Sequence, residues 1–314
     1  MFLVAGASSG PGQLVVADLL ARKMPTRVLV RSDAQVAQFE ALGAEAAKGD
    51  VGDEAALVRA CAGVSTVISL VGRHFADTRE RLWSVDALGN AALVRAAAAA
   101  GVKRFVLLSA LWADRELPPV LLAAKRYAEQ ALVESGMSYA ILRPSTFTTG
   151  ASSLVGAVGP SIERWGLAFI PRPDSQPISF ITLADVAAAI VAAALDDRPS
   201  LVAELGGPEA LTMAEGARRL GAVLNKKVRI VRVPRFVSSL WRRVARRRSF
   251  GAYELMLFLD MLADHGYHCD AGPARQLLGR EPTGVDEALR AYYATTKLTP
   301  WRESNVGVLS TRSK

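Results

Sequence analysis

Residues 1–12 read Met1-Phe2-Leu3-Val4-Ala5-Gly6-Ala7-Ser8-Ser9-Gly10-Pro11-Gly12, and this stretch decides the fold. A short apolar run leads straight into a loop with glycines at 6, 10 and 12, and apolar residues at helical spacing follow from Leu14 to Leu20. Strand, glycine turn and helix in that order open a doubly wound α/β domain that holds a dinucleotide. Glycine lets the backbone come close to a pyrophosphate. The next helix presents unpaired N–H groups and a positive dipole end to the anion. The loop residues that would meet it are Gly6, Ser8, Ser9, Gly10, Pro11 and Gly12. An ordinary strand–helix turn is the competing reading of such a loop taken alone.

Working outward, the chain keeps alternating. Residues 26–31 form a β-branched, apolar run, and a helix follows from Asp33. A third short strand ends before Gly49-Asp50, with a helix after it. Residues 64–72 are a continuous apolar run of buried-strand type. An alanine-rich helix stopped by Gly101 comes next, then a strand over 103–110, a helix over 121–136 and a strand over 137–144. Sustained alternation predicts an α/β fold, a Rossmann-type doubly wound parallel sheet with a smaller C-terminal substrate lobe. The expected division is a dinucleotide-binding domain over 1–150, which a helix in 178–198 rejoins. A mixed lobe over 151–314 covers the substrate, with a polar tail from about residue 296.

Composition bounds the rest. The chain has 314 residues, 51% of them hydrophobic and 22% charged, which suits a large packed core and excludes wholesale disorder. Two cysteines, Cys61 and Cys269, are too few and too far apart for a disulfide or zinc framework, and no metal site is expected. A reducing cytoplasm is the expected setting, with no secretory signal. Residues 144–162 lack charge but are too rich in Gly, Pro, Ser and Thr for a membrane span. The net charge is +8, and Arg242–Arg248 carries five arginines within eight residues from Trp241. Such a run is the solvated face of a helix, or a patch for a peripheral membrane or protein partner. Nothing nearby supplies a nucleic-acid fold, so that partner is not expected. Oligomeric state is not legible.

Several pieces in order resemble the short-chain dehydrogenase/reductase superfamily, in its extended or atypical NmrA-like NAD(P)-binding branch. They are the loop Gly6–Gly12, the strand ending in Arg31, Gly49-Asp50, the strand through Val71-Gly72, and Val85-Asp86 with Gly89-Asn90 ahead of the alanine-rich helix. The strand ending at Ser109, the helix carrying Lys125 and Glu129, and the strand ending Arg143-Pro144 complete the series, which spans roughly residues 1–200. The resemblance implies a nicotinamide cofactor. Arg31, at the end of the second strand, suits a 2′-phosphate better than a free hydroxyl, so NADP(H) is preferred over NAD(H). Asp50, beside Val51, would accept from the adenine amino group, or cap the next helix. Leu70, Val71, Gly72 and Pro144 would line the crevice at strand ends. The resemblance places Ser109 beside a substrate carbonyl and Lys125 on the nicotinamide ribose. Read by itself, Ser109 is a satisfied turn serine, and Lys125 is a surface lysine pairing with Glu129 at i,i+4 spacing.

One departure matters. The Tyr-dependent reductases carry a tyrosine four residues before that lysine, and here the position is Leu121. Tyr127 points to another face. Other proton sources are Ser109, the hydroxyls of Ser145, Thr146 and Thr148, His74, a water or a cofactor hydroxyl. Two functions stay open. One is an NADPH-dependent reductase of an apolar small-molecule carbonyl, quinone or enone (a polyketide-like natural product among them), its aromatic or apolar substrate held by Trp165, Phe169, Phe180, Tyr253, Met256 and Phe258. The other is a non-catalytic NADP(H)-binding redox sensor, or an accessory subunit of a redox complex.

Overall fold

The computed structural model describes residues 1–73, 78–150 and 153–295. The apolar runs become strands and the periodic segments become helices. In order they are β1 (Phe2–Ala5), α1 (Gly10–Ala21), β2 (Thr26–Val30), α2 (Asp33–Ala41), β3 (Glu45–Lys48), α3 (Glu54–Cys61) and β4 (Thr66–Ser69). Then come α4 (Arg79–Trp83), a π-helical segment (Ser84–Gly89), α5 (Asn90–Ala99), β5 (Arg104–Leu108), α6 (Val120–Glu134) and β6 (Ser138–Pro144). The later chain folds as β7 (Thr146–Phe147), α7 (Leu154–Trp165), β8 (Leu167–Pro171), β9 (Ile178–Ile181), α8 (Leu183–Leu195) and β10 (Ser200–Leu205). It continues through β11 (Ala210–Leu211), α9 (Met213–Val223), β12 (Arg229–Val233), α10 (Arg235–Arg248), α11 (Phe250–His265), α12 (Gly272–Leu278) and α13 (Val285–Thr295).

Seven strands form one parallel sheet in the order β10-β6-β5-β4-β1-β2-β3. The chain runs from β1 outward to β3, then returns to β4 on the other side of β1. Opposite crossovers leave a crevice at the carboxyl ends of β1 and β4, where α/β sheets take their ligands. Both faces are covered, which is why β1 and β4 are buried at every position. Val15, Val16 and Leu19 of α1 share one core with Val186, Ile190 and Val191 of α8. Leu57 of α3, Leu93 of α5 and Leu132 of α6 make the other.

Helix α8 packs against the sheet, and more chain comes with it. Residues beyond 198 were expected in the covering lobe, yet β10 is the seventh sheet strand, paired with β6 from Ser200↔Tyr139 to Leu205↔Pro144. The α8 helix packs beside α1 and delivers the chain to the open β6 edge, and Ala274 of α12 joins the same core. A separate core holds the remaining chain together: Val158 and Ile162 of α7, Leu220 of α9, Leu262 of α11 and Leu289 of α13. Among the described residues no helix is long and apolar enough to cross a membrane.

Candidate functional site

The glycine loop is held by its own chemistry. Ser9 takes an extended conformation and caps α1, its hydroxyl accepting from Gly12 N at 3.1 Å and donating to Gly6 O at 2.8 Å. Pro11 lies in the first helical turn, where no intrahelical N–H is required. Gly6 has φ +84°, and a Cβ there would fall 2.7 Å from Leu70 O; one on Gly12 would fall 2.3 Å from Gly6 O. These two glycines are demanded by the fold itself. Gly10 is different. It is exposed, and a Cβ there would meet only Leu183 Cδ1, at 3.5 Å. The open approach therefore lies over Gly10 at the α1 N-terminus, beside the exposed Ser8, and suits a pyrophosphate.

Arg31 lies just past β2 with an exposed side chain, and its backbone N–H donates to Gln35 Oε1 at 3.0 Å. No carboxylate of the described residues pairs with its guanidinium. Asp33, the nearest acid in sequence, is engaged by Lys48 at 2.7 Å. Asp50 is also exposed, but it does not cap the next helix: its Oδ1 accepts from Gly52 N at 3.0 Å, while Asp53 caps α3 through Ala56 N. Val51 is buried against the π-helical segment, where a Cβ on Gly89 would strike Val51 Cγ2 at 2.6 Å.

The end of β4 is tied down by a buried polar cluster. Ser69 donates to Asn90 Oδ1 at 2.6 Å, and Asn90 Nδ2 donates to Asp86 O at 2.9 Å and Val71 O at 3.3 Å. Lys125 Nζ reaches Val71 O and Asp86 Oδ1, both at 3.0 Å, and Asp86 Oδ2 accepts from Arg73 N at 2.8 Å. Lys125 is 3% exposed and Asp86 fully buried. The surface pairing of Lys125 with Glu129 is thereby overturned, because α6 packs this face against the sheet and the π-helical segment brings Asp86 to it. Gly72 has its own reason to be glycine: a Cβ would lie 2.9 Å from Asp86 Oδ1 and 3.1 Å from Lys125 Nζ. Leu70 and Val71 are buried beside it.

Ser109 is also committed. Its hydroxyl donates to Glu129 Oε1 at 2.5 Å, and Glu129 is gripped on both oxygens by Arg143, at 3.0 and 2.6 Å. Arg143 further holds Asp114 at 2.7 Å. Burial opposes the Arg143 charge, but the Glu129 hydrogen bonds and charge, aided by Asp114, outweigh it and hold the guanidinium above its usual value. Ser109 thus aims its proton at a carboxylate, not at the crevice. Sequence reasoning had no signal for Asp114, which lies on an irregular turn.

Beyond Pro144, whose carbonyl accepts from Leu111 N at 3.0 Å, three hydroxyls differ. Ser145 donates to Ser179 O, and Thr148 to Ile181 O at 3.4 Å. The buried Thr146 Oγ1 has no hydrogen-bond partner among the described residues. His74 and the polar tail lie outside the described residues. Tyr127 is 40% exposed and stands 5.7 Å from Trp83, on another helix face. Buried Tyr267 spends its hydroxyl on Leu111 O at 2.8 Å, and burial raises its pKa. Leu121 packs beside Val120 and Phe250, and its N–H donates to Glu254 Oε2 at 3.4 Å. Glu254 is an unforeseen buried acid, 4% exposed, with Oε1 unpartnered among the described residues. Burial pushes its carboxyl above the ordinary range, against the pull of the Leu121 and Val120 N–H groups and Arg79.

The proposed aromatic lining does not converge. Phe180 is core, Phe258 stacks edge-on with Tyr267, and Met256 faces α10, while Trp165 and Phe169 are 60% and 45% exposed. Strand β8 and the end of α7 turn those last two outward. Both cysteines are free and buried, with burial raising Cys61 to about 11 and Cys269 to about 12, so neither is a ready thiolate. No group of three His, Cys, Asp or Glu is gathered for a metal among the described residues.

Comparison with known proteins agrees with this geometry. The family model described as NAD(P)H-binding matches residues 6–197. A (4-alkanoyl-5-oxo-2,5-dihydrofuran-3-yl)methyl phosphate reductase of Streptomyces griseus is 31% identical over 73% of this chain and 76% of that protein. An NAD(P)H azoreductase of Xenophilus azovorans is 29% identical over 74% of this chain and 77% of its own length. The crystal structure of an Escherichia coli NADPH-dependent quinone oxidoreductase complexed with NADPH superposes with a TM-score of 0.78. It is 24% identical and covers 93% of this chain and 100% of that one. The glycine cradle, the crevice at the strand reversal and the matched span together place this chain in the NAD(P)H-binding family, within the extended, NmrA-like short-chain dehydrogenase/reductase group.

Proposed function

We propose that this chain is an NADPH-dependent reductase of an apolar small molecule whose reduced form spreads its negative charge, such as a quinone, an enone or a conjugated carbonyl. That it is an NAD(P)H-dependent oxidoreductase follows from its family and relatives. One observation carries the narrower reading. The groups that would deliver a proton in the Tyr-dependent branch are missing or already committed: Leu121 replaces the tyrosine, Lys125 is held by Asp86, and Ser109 donates to Glu129. A substrate that delocalises its developing charge needs little general-acid help.

The reduced nicotinamide supplies a hydride when bound. The α1 N-terminus and Gly10 would take the pyrophosphate, and Arg31, free of any acidic partner among the described residues, would take a 2′-phosphate. Lys125 and Asp86 hold the end of β4 rigid through Val71 and Arg73, giving the crevice a fixed wall. The Thr146 hydroxyl, past the end of β6 and without a hydrogen-bond partner among the described residues, would hydrogen-bond the developing oxyanion.

The test follows NADPH absorbance with the purified chain and a naphthoquinone, an azo dye or an aromatic ketone. Turnover on at least one is expected. Thr146→Val should lower kcat about a hundredfold while leaving NADPH affinity unchanged. Tight NADPH binding with no turnover on any acceptor would overturn the reading and favour a sensor or accessory subunit.

A further inference from the structure

The α10 helix has two faces, and only one is used. Its inward face sits on α11: Ser238 is buried, Arg242 pairs with Asp260, and Arg235 pairs with Asp264. The opposite face carries Phe236, Leu240, Trp241 and Val244, one contiguous stripe at helical spacing. These side chains are 75%, 58%, 55% and 45% exposed, among the largest apolar exposures in the protein. Leu240, Trp241 and Val244 of the stripe, with Ala252 and Met256 of α11, line an open groove of about 550 Å³ that Arg248 also borders.

The charges on this helix are sorted as well. Arg243, Arg246, Arg247 and Arg248 are exposed, and no ion pair among the described residues involves them. Helical geometry sets Arg243 on one margin of the apolar stripe and puts Arg247 and Arg248 in line with the stripe, at its C-terminal end. Arginines that face the protein have acidic partners, and those that frame the apolar stripe have none. An apolar stripe with aromatic residues, edged by unpaired cations, complements a surface that is apolar below and anionic above. The helix has 14 residues, about 21 Å of length, too short to cross a bilayer core of about 30 Å.

We infer that α10 lies flat in the headgroup layer of an anionic phospholipid membrane. Trp241, Phe236, Leu240 and Val244 would insert, and Arg243, Arg247 and Arg248 would pair with lipid phosphates. The inference is independent of what the crevice reduces.

The test uses the full chain with vesicles of phosphatidylcholine alone and vesicles containing about one part in four of phosphatidylglycerol. Co-sedimentation with the anionic vesicles only is expected, weakening as salt rises. Each arginine near such a surface is worth about fivefold in partitioning, so Arg243→Gln/Arg247→Gln/Arg248→Gln should weaken binding about a hundredfold. Phe236→Ala/Trp241→Ala should also weaken it, and NADPH binding by both variants should match the parent protein. Equal affinity for neutral and anionic vesicles, or failure to bind either, would overturn the proposal. So would a concentration-dependent dimer that Phe236→Ala/Trp241→Ala dissolves, since the stripe would then be a protein interface.

Discussion

Around the ends of β4, β5 and β6, charge is buried and matched: Lys125 with Asp86, and Glu129 with Arg143. Along the outer face of α10, charge is exposed and unmatched among the described residues, beside apolar side chains that are exposed too. The first arrangement costs desolvation, which is recovered only while both partners stay in place. The second costs the folded protein little and leaves its surface to another phase. Rigid pairing belongs where a ligand must meet a fixed wall, and unpaired charge where the partner is not part of the chain. Glu254 stands between the two, a buried acid on α11 that leans on the first turn of α6.

Changes at three places would break or sharpen this contrast. The largest effect is expected from Lys125→Met, which strands the buried Asp86 charge and should cost about 3–5 kcal/mol of stability. Asp86→Leu should cost a similar amount, and combining the two should cost clearly less than their sum. Urea unfolding of the cycle measures this, and small additive losses would mean that the pair holds nothing together. A smaller effect, with a defined pH dependence, is expected from Glu254→Gln. The Glu254 carboxyl titrates higher in the folded chain than in the unfolded one. Its contribution is therefore fully present below the ordinary glutamate value of about 4.3 and is lost as pH rises through the folded value. Relative to the parent, Glu254→Gln should gain stability as pH rises from acid to neutral. A difference independent of pH would remove Glu254 from the account of that helix turn. The smallest effect is expected from Arg243→Gln/Arg247→Gln/Arg248→Gln, whose stability should stay within about 0.5 kcal/mol of the parent.

The same contrast marks what a sequence can disclose. The glycine loop, the apolar strands and the alternation are local patterns, so the parallel sheet and the glycine turn are legible in the sequence. Gly6 and Gly12 could be read as necessary, but that Gly10 alone faces open space depends on where Leu70 and Leu183 sit. Lys125 stood out on α6, yet its partner comes from the π-helical segment, and a pairing between two distant helices leaves no periodic trace. Strand β10 is only partly buried, so only the free edge of β6 reveals its place. The aromatic residues grouped as a substrate wall failed for the same reason, since composition does not tell which way a strand or helix turns its side chains. The arginine run was visible as charge, but only packing on Asp260 separates its committed Arg242 from the arginines without an ion pair among the described residues.

The proposed cofactor site is the loop at Gly6–Gly12 with the end of β2, which would hold the phosphorylated form of a nicotinamide dinucleotide. Calorimetric titration of NADPH and NADH into the parent chain and into Arg31→Ala tests it most directly. One NADPH per chain is expected, with Arg31→Ala weakening NADPH about tenfold, the loss of one charge-assisted phosphate contact, and leaving NADH affinity unchanged. Equal loss for both cofactors, or no binding of either by the parent chain, would contradict it.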